Sequence, residues 1–170
     1  MKKEAERKLK KEAERKVVNY LLKRFPDCFF LDDNRESPDF VIGNSSIKIG
    51  VEVTTYYPHR NSKGGIVNQL SKFDHKQQKH KYFCKTAFGY EHWCPVIDKA
   101  DLYNACIGPK ELKLENYRSN VVCDEYWLLI VIDFYDSVAY NWQDLSIKSN
   151  FDKVFLWEEP DDITEILVLH

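Results

Sequence analysis

Two carboxylates fall inside segments built for burial. Asp39 lies in Ser37-Pro38-Asp39-Phe40-Val41-Ile42-Gly43, and Glu52 lies in Ile47-Lys48-Ile49-Gly50-Val51-Glu52-Val53-Thr54-Thr55. An acid among β-branched residues costs free energy unless something pairs with it. Two such acids on adjacent strands suggest a shared partner, and a divalent cation is one that also does chemistry. The structural alternative has Asp39 capping a turn after Pro38 and Glu52 in a salt bridge on a sheet face.

Positioning these acids requires a hairpin. Asn44-Ser45-Ser46 is turn material between the two apolar runs. Side chains two apart on a strand face the same way. Lys48, Gly50, Glu52 and Thr54 therefore share one face, while Ile47, Ile49, Val51 and Val53 form a core face. Gly50 leaves room beside Glu52, and Asp39 falls near the Glu52 end of the pair.

Before the hairpin, residues 2–9 (KKEAERKL) and 10–17 (KKEAERKV) are one octad duplicated with a single change. This is strong helix-forming material, supported by Glu4–Lys8 and Glu12–Lys16 pairs and ended by Pro26. The first turns, to about residue 12, read as a charged extension, with packing from about Ala13 onward. Glu14 stands four before Val18 and seven before Leu21, at the edge of the buried stripe. Cys28–Leu31 reads as a short strand.

After the hairpin, the pattern from Ile66 to about Cys84 is helical, with Lys72, Lys76 and Lys79 on one face. Between Arg60 and Lys85 there are seven Lys or Arg against one acid, Asp74. Such a one-signed run suits a phosphate backbone, or is a solvated face. Residues 86–120 read as loops with a short helix around Ile97 to Ala105, an insertion that could recognise substrate. Its aromatics could stack on unpaired bases but are more often packing. His80, Cys84, His92 and Cys94 fit no familiar zinc spacing. Tyr126–Phe134 is an apolar run broken only by Asp133 and predicts a central strand covered on both faces. Trp142 to Ile147 reads as a helical stretch, Val154–Trp157 as a strand, and Ile163–Leu169 as a helix or a strand.

A length of 170 residues fits a single α/β domain with a sizeable core. The net charge of −2 argues against a strongly basic coat but allows a local basic groove. The five cysteines are odd in number and form no Cys-x-x-Cys, so reduced thiols and a cytoplasmic location are expected. The start of the chain is charged, unlike a signal peptide, and no apolar run reaches membrane-spanning length. Neither a Walker loop, a dinucleotide fingerprint nor a Gly-x-Ser-x-Gly elbow is present.

Pro38-Asp39, the apolar hairpin, Glu52-Val53-Thr54 and a following polar helix together resemble the PD-(D/E)xK nuclease superfamily over about residues 12–134. The resemblance implies a restriction-endonuclease-like αβββαβ core, a central mixed sheet flanked by helices. It also implies an endonuclease or exonuclease that hydrolyses phosphodiesters with Mg²⁺ or Mn²⁺. Its partner would be nucleic acid, DNA more than RNA, with a homodimer as one arrangement and no membrane. By position, Asp39, Glu52 and the carbonyl of Val53 would hold the metal, and Glu14 would complete its shell. Gln69-Leu70-Ser71-Lys72-Phe73 is similar to a segment some exonuclease-like members carry, making Gln69, Lys72, Lys76 and Lys79 nucleic-acid contacts. The departure is Thr54, which stands where the motif has a lysine. Some members move that lysine to the next helix, and here Lys72 or Lys76 could reach back, while Lys48 lies about 13 Å along the strand, which is too far. With no lysine in reach, the chain would be a lapsed nuclease that binds nucleic acid or protein. A third alternative is an unrelated α/β protein whose two acids are structural.

Overall fold

The computed structural model describes residues 2–33, 35, 37–56, 81–85, 91–97, 99–132, 139–140, 146–158 and 162–170. It is mixed α/β. Helix α1 (Lys2–Arg24) precedes strands β1 (Phe29–Asp32), β2 (Phe40–Gly43) and β3 (Lys48–Tyr56). Strands β4 (Lys81–Lys85) and β5 (Glu91–Ile97) follow, then helices α2 (Lys99–Leu102), α3 (Gly108–Glu111) and α4 (Leu114–Asn120). The chain closes with β6 (Glu125–Ile132), β7 (Ala139–Tyr140), β8 (Ser146–Lys148), β9 (Lys153–Glu158) and β10 (Asp162–Leu169).

Among the described residues the main sheet has seven strands in the order β1-β2-β3-β6-β9-β10-β8. Strands β1, β2 and β3 form an antiparallel meander. Beyond it β3, β6 and β9 run parallel, β10 returns antiparallel to β9, and β8 is parallel to β10. A second sheet has the order β4-β5-β7. The β2–β3 turn closes as its residues demand: Asn44 Oδ1 accepts from the N–H groups of Ser46 and Ile47, at 2.8 and 3.1 Å. Gly43 has φ +149°, and a Cβ there would lie 2.1 Å from the Ile47 carbonyl oxygen, so only glycine fits.

Each face of the sheet has its own core. Val17, Val18 and Leu21 of α1 pack on Phe40, Ile42, Val51, Val53, Trp127 and Phe155. On the opposite face Leu102, Ile107, Leu114 and Tyr117 pack on Leu128, Ile130, Val154 and Leu156. Strand β6 alternates between the two cores, which is why its sequence is apolar from Tyr126 to Ile132.

Several elements differ from the sequence reading. Lys81–Lys85 is a strand paired with β5 rather than the end of a helix, in keeping with the β preference of Tyr82 and Phe83. Residues 99–120 are mostly helical rather than loop. Ser146–Lys148 is a strand rather than part of a helix, because β10 offers it a parallel edge. The last segment is a strand, paired with β9 from Asp162↔Glu158 to Ile166↔Val154. Packing of α1 begins before Ala13: the Lys11 ammonium lies 4.0 Å from the Phe40 ring centroid and donates to the carbonyl of Arg35 at 2.9 Å. No helix among the described residues is long and apolar enough to cross a membrane.

Candidate active site

Strand pairing brings the two acids together. The β2–β3 register runs from Gly43↔Lys48 to Phe40↔Val51. One step further sets Asp39, immediately before β2, across from Glu52. The space beside Gly50 is filled rather than open, since a Cβ there would meet Tyr126 Cδ1 at 3.0 Å and Pro38 Cγ at 3.1 Å. Pro38 thus packs against the glycine two residues before Glu52, which steers the chain entering β2 and places Asp39. The Asp39 Oδ2 atom accepts from the Val53 N–H at 2.9 Å. In an extended strand the N–H and C=O of one residue point to the same edge. The Val53 carbonyl therefore also points to the Asp39 side.

Glu52 is buried, with its side chain 6% exposed on the face covered by α2–α4. Its Oε1 accepts from Lys110 Nζ at 2.5 Å, while Oε2 is buried without a hydrogen-bond partner among the described residues. The buried Tyr117 hydroxyl lies beside this carboxylate and interacts with it as a hydrogen-bond donor, although the bond is not closed. Burial and, next, the charge of Asp39 hold the Glu52 carboxyl above its ordinary range, and Lys110 opposes them. The Tyr117 phenol is pushed up strongly by burial and then by Glu52.

Lys110 is the residue the sequence reading missed. It sits on α3, the last part of an unbroken helical run through α2, a π-helical turn at Tyr103–Ile107, and α3. Pro109 has no N–H and its ring crowds the preceding turn, so regular α-helical bonding cannot continue there. The chain responds with a π turn, in which the Gly108 N–H donates to the Tyr103 carbonyl. Gly108-Pro109 reads locally as a turn, which hid the helix carrying Lys110.

Glu14 enters from α1, 12% exposed, and pairs with Lys10 Nζ at 3.1 Å. Each acid thus has a lysine near it, the others being Lys11 at 3.9 Å from Asp39 Oδ1 and Lys110 on Glu52. Burial first, then Asp39, raises the Glu14 carboxyl above its ordinary value of 4.5, while Lys10 pulls it back. The folded chain therefore keeps this proton to higher pH than the unfolded chain does. Its favourable contribution is greatest below pH 4.5 and is lost as pH rises through the raised value. Lys10 is 76% exposed, so losing its pair costs little. Glu14→Gln is accordingly expected to stabilise the metal-free protein at pH 7.5 by about 0.5–1.5 kcal/mol and to have little effect at pH 4, as read by urea denaturation.

The structure sets Asp39, immediately before β2, beside Glu52 and Val53 in the middle of β3, and brings Glu14 of α1 within electrostatic reach of Asp39. Thr54 is half-buried on β3, two residues beyond Glu52. Gln69, Lys72, Lys76 and Lys79 lie outside the described residues. No group of three His, Cys, Asp or Glu among the described residues is arranged to hold a metal ion by itself. Two carboxylates and one carbonyl are nevertheless a donor set that Mg²⁺ accepts, with water or phosphate oxygens in the remaining positions. Glu52 Oε2 closes no hydrogen bond among the described residues, but the Tyr117 hydroxyl interacts with the same carboxylate. No protein-family model, curated protein or solved structure matches the chain.

Proposed function

We propose that this protein is a metal-dependent nuclease, acting on DNA in preference to RNA, with a restriction-endonuclease-like core. Support for the core comes from α1, the antiparallel β1-β2-β3 meander, a crossover that includes helices, and β6 parallel to β3. The observation that carries the reading is Lys110 Nζ, 2.5 Å from Glu52 Oε1, with Asp39 across the strand pair. The cation that Thr54 cannot supply comes from a helix packed on the same face as Glu52. This favours a working centre over a lapsed one.

Asp39, Glu52 and the Val53 carbonyl would hold Mg²⁺ or Mn²⁺, which supplies charge neutralisation and a more acidic bound water. Lys110 orients Glu52 by holding Oε1. An ammonium has three donors, so Lys110 can also donate to a phosphoryl oxygen as negative charge grows on it in the transition state. Val53 N–H orients Asp39 through Oδ2. Glu14 adds a third carboxylate, from the α1 side, where it can accept a proton from an attacking water. Tyr117 walls the site and keeps bulk water from the Glu52 carboxylate.

The test is cleavage of plasmid, linear and single-stranded DNA and of RNA with Mg²⁺ or Mn²⁺, comparing wild type with Asp39→Ala and Glu52→Ala. Metal-dependent cutting that disappears in both variants supports the nuclease and identifies its substrate. Absence of cutting by the wild type on every substrate, or equal cutting by both variants, overturns it.

A further inference from the structure

Lys110 reaches Glu52 from a helical run that is irregular immediately before it. A lysine side chain is long and flexible, so its ammonium stays on one oxygen only if the backbone beneath it is fixed. The fixing group is the next residue. Glu111 Oε2 accepts from the Tyr103 hydroxyl at 2.8 Å, and Oε1 accepts from Ser149 Oγ and from the Asn150 N–H, each at 2.7 Å. Tyr103 opens the π turn and Glu111 ends α3, so this bond spans the irregular turn from end to end. The Tyr103 ring also lies against Gly108, where a Cβ would be 3.2 Å from Cε1. Ser149 and Asn150 belong to the turn between β8 and β9, on the far side of the sheet from the hairpin that carries Asp39 and Glu52. The two Glu111 oxygens therefore join the helix to itself and to a separate part of the sheet.

We infer that Glu111 is a positioning residue for Lys110: its carboxylate clamps the π turn and the β8–β9 turn together so that the Lys110 ammonium is held on Glu52. The inference rests on the nuclease reading for its effect on rate, but not for its structural effect. Glutamine keeps one acceptor oxygen for Ser149 and Asn150 and offers an amide toward Tyr103, so Glu111→Gln preserves most of the clamp, while Glu111→Ala removes it. Displacing a catalytic group by about 1 Å can cost about 100-fold in rate.

The experiment compares wild type, Glu111→Gln and Glu111→Ala in two readouts. In single-turnover and steady-state cleavage, Glu111→Ala is expected to lose about 10–100-fold in kcat with KM within about twofold, and Glu111→Gln to stay within about threefold of wild type. In NMR of protein labelled at lysine nitrogen, wild type and Glu111→Gln are expected to show a slowly exchanging Lys110 ammonium signal, assigned by its loss in Lys110→Met. Glu111→Ala is expected to lose it while near-ultraviolet circular dichroism stays native. A Lys110 signal unchanged in Glu111→Ala overturns the inference, as does equal loss of the signal in Glu111→Gln. If the wild type cuts nothing, the nuclease reading fails and the NMR comparison alone decides the clamp.

Discussion

Lys110→Met is expected to slow single-turnover cleavage about 100–1,000-fold, the usual loss when one preorganised donor to transition-state charge is removed. Methionine retains the length and apolar contacts of the lysine stem but cannot pair with Glu52 or donate to a phosphoryl oxygen. The change also leaves the Glu52 carboxyl buried without its cation. Leaving a buried charge unpaired costs about 3–5 kcal/mol unless the group takes a proton instead. Glu52 already sits above its ordinary range through burial and Asp39. The Lys110→Met protein should therefore lose less stability at pH 5 than at pH 8, and a urea series across that range checks this. Lys110→Arg keeps the positive charge and should recover stability more fully than rate, because a planar guanidinium does not reproduce the ammonium position. Lys110→Met with wild-type single-turnover rates would remove this residue from the mechanism.

The largest effect on stability is expected from Phe155→Ala, at about 3–5 kcal/mol. Phe155 is fully buried in β9 and meets Trp127 of β6 at 5.3 Å and Phe25 at 6.0 Å between ring centroids. Phe25, just past the end of α1, also stacks at a tilt on Trp127 at 4.8 Å. These three rings lie in the core that holds α1 against the sheet. Removing the Phe155 ring leaves a cavity that the rigid strands on either side cannot close. Because α1 delivers Glu14, the variant should also weaken the site, and denaturant midpoints measured beside cleavage rates would show both losses. A loss below about 1 kcal/mol would mean that the helix is held by other contacts.

The parts of the candidate site that were legible in the sequence are the placements fixed by local periodicity. Asp39 and Glu52 are thirteen positions apart on the two arms of one hairpin, and the Asn44 turn sets their register. Glu14 was legible because helical spacing ties it to Val18 and Leu21, both buried. Lys110 was not, because 58 residues separate it from Glu52, and no local pattern records a contact of that range. A π turn also shifts the helical repeat, so Leu102, Cys106, Ile107 and Tyr117 do not read as one continuous stripe. The central strand was legible from its unbroken apolar run. The fates of Lys81–Lys85 and Ser146–Lys148 were not, since both are short strands made by a partner elsewhere in the chain. Gly50 was misleading in a useful way. A glycine beside an acid suggests room for a ligand, but Pro38 and Tyr126 occupy that space and thereby place Asp39.

Cation binding by Asp39 and Glu52 can be measured without finding the right substrate. The measurement is a Mn²⁺ titration of wild type, Asp39→Asn and Glu52→Gln at pH 7.5, by calorimetry and by the electron paramagnetic resonance signal of free Mn²⁺. Wild type is expected to bind Mn²⁺ at a site whose affinity falls at least tenfold in each variant, and to gain Tm on adding Mn²⁺ where neither variant does. Equal Mn²⁺ affinity in all three proteins, or no binding by the wild type, would contradict the metal-dependent reading.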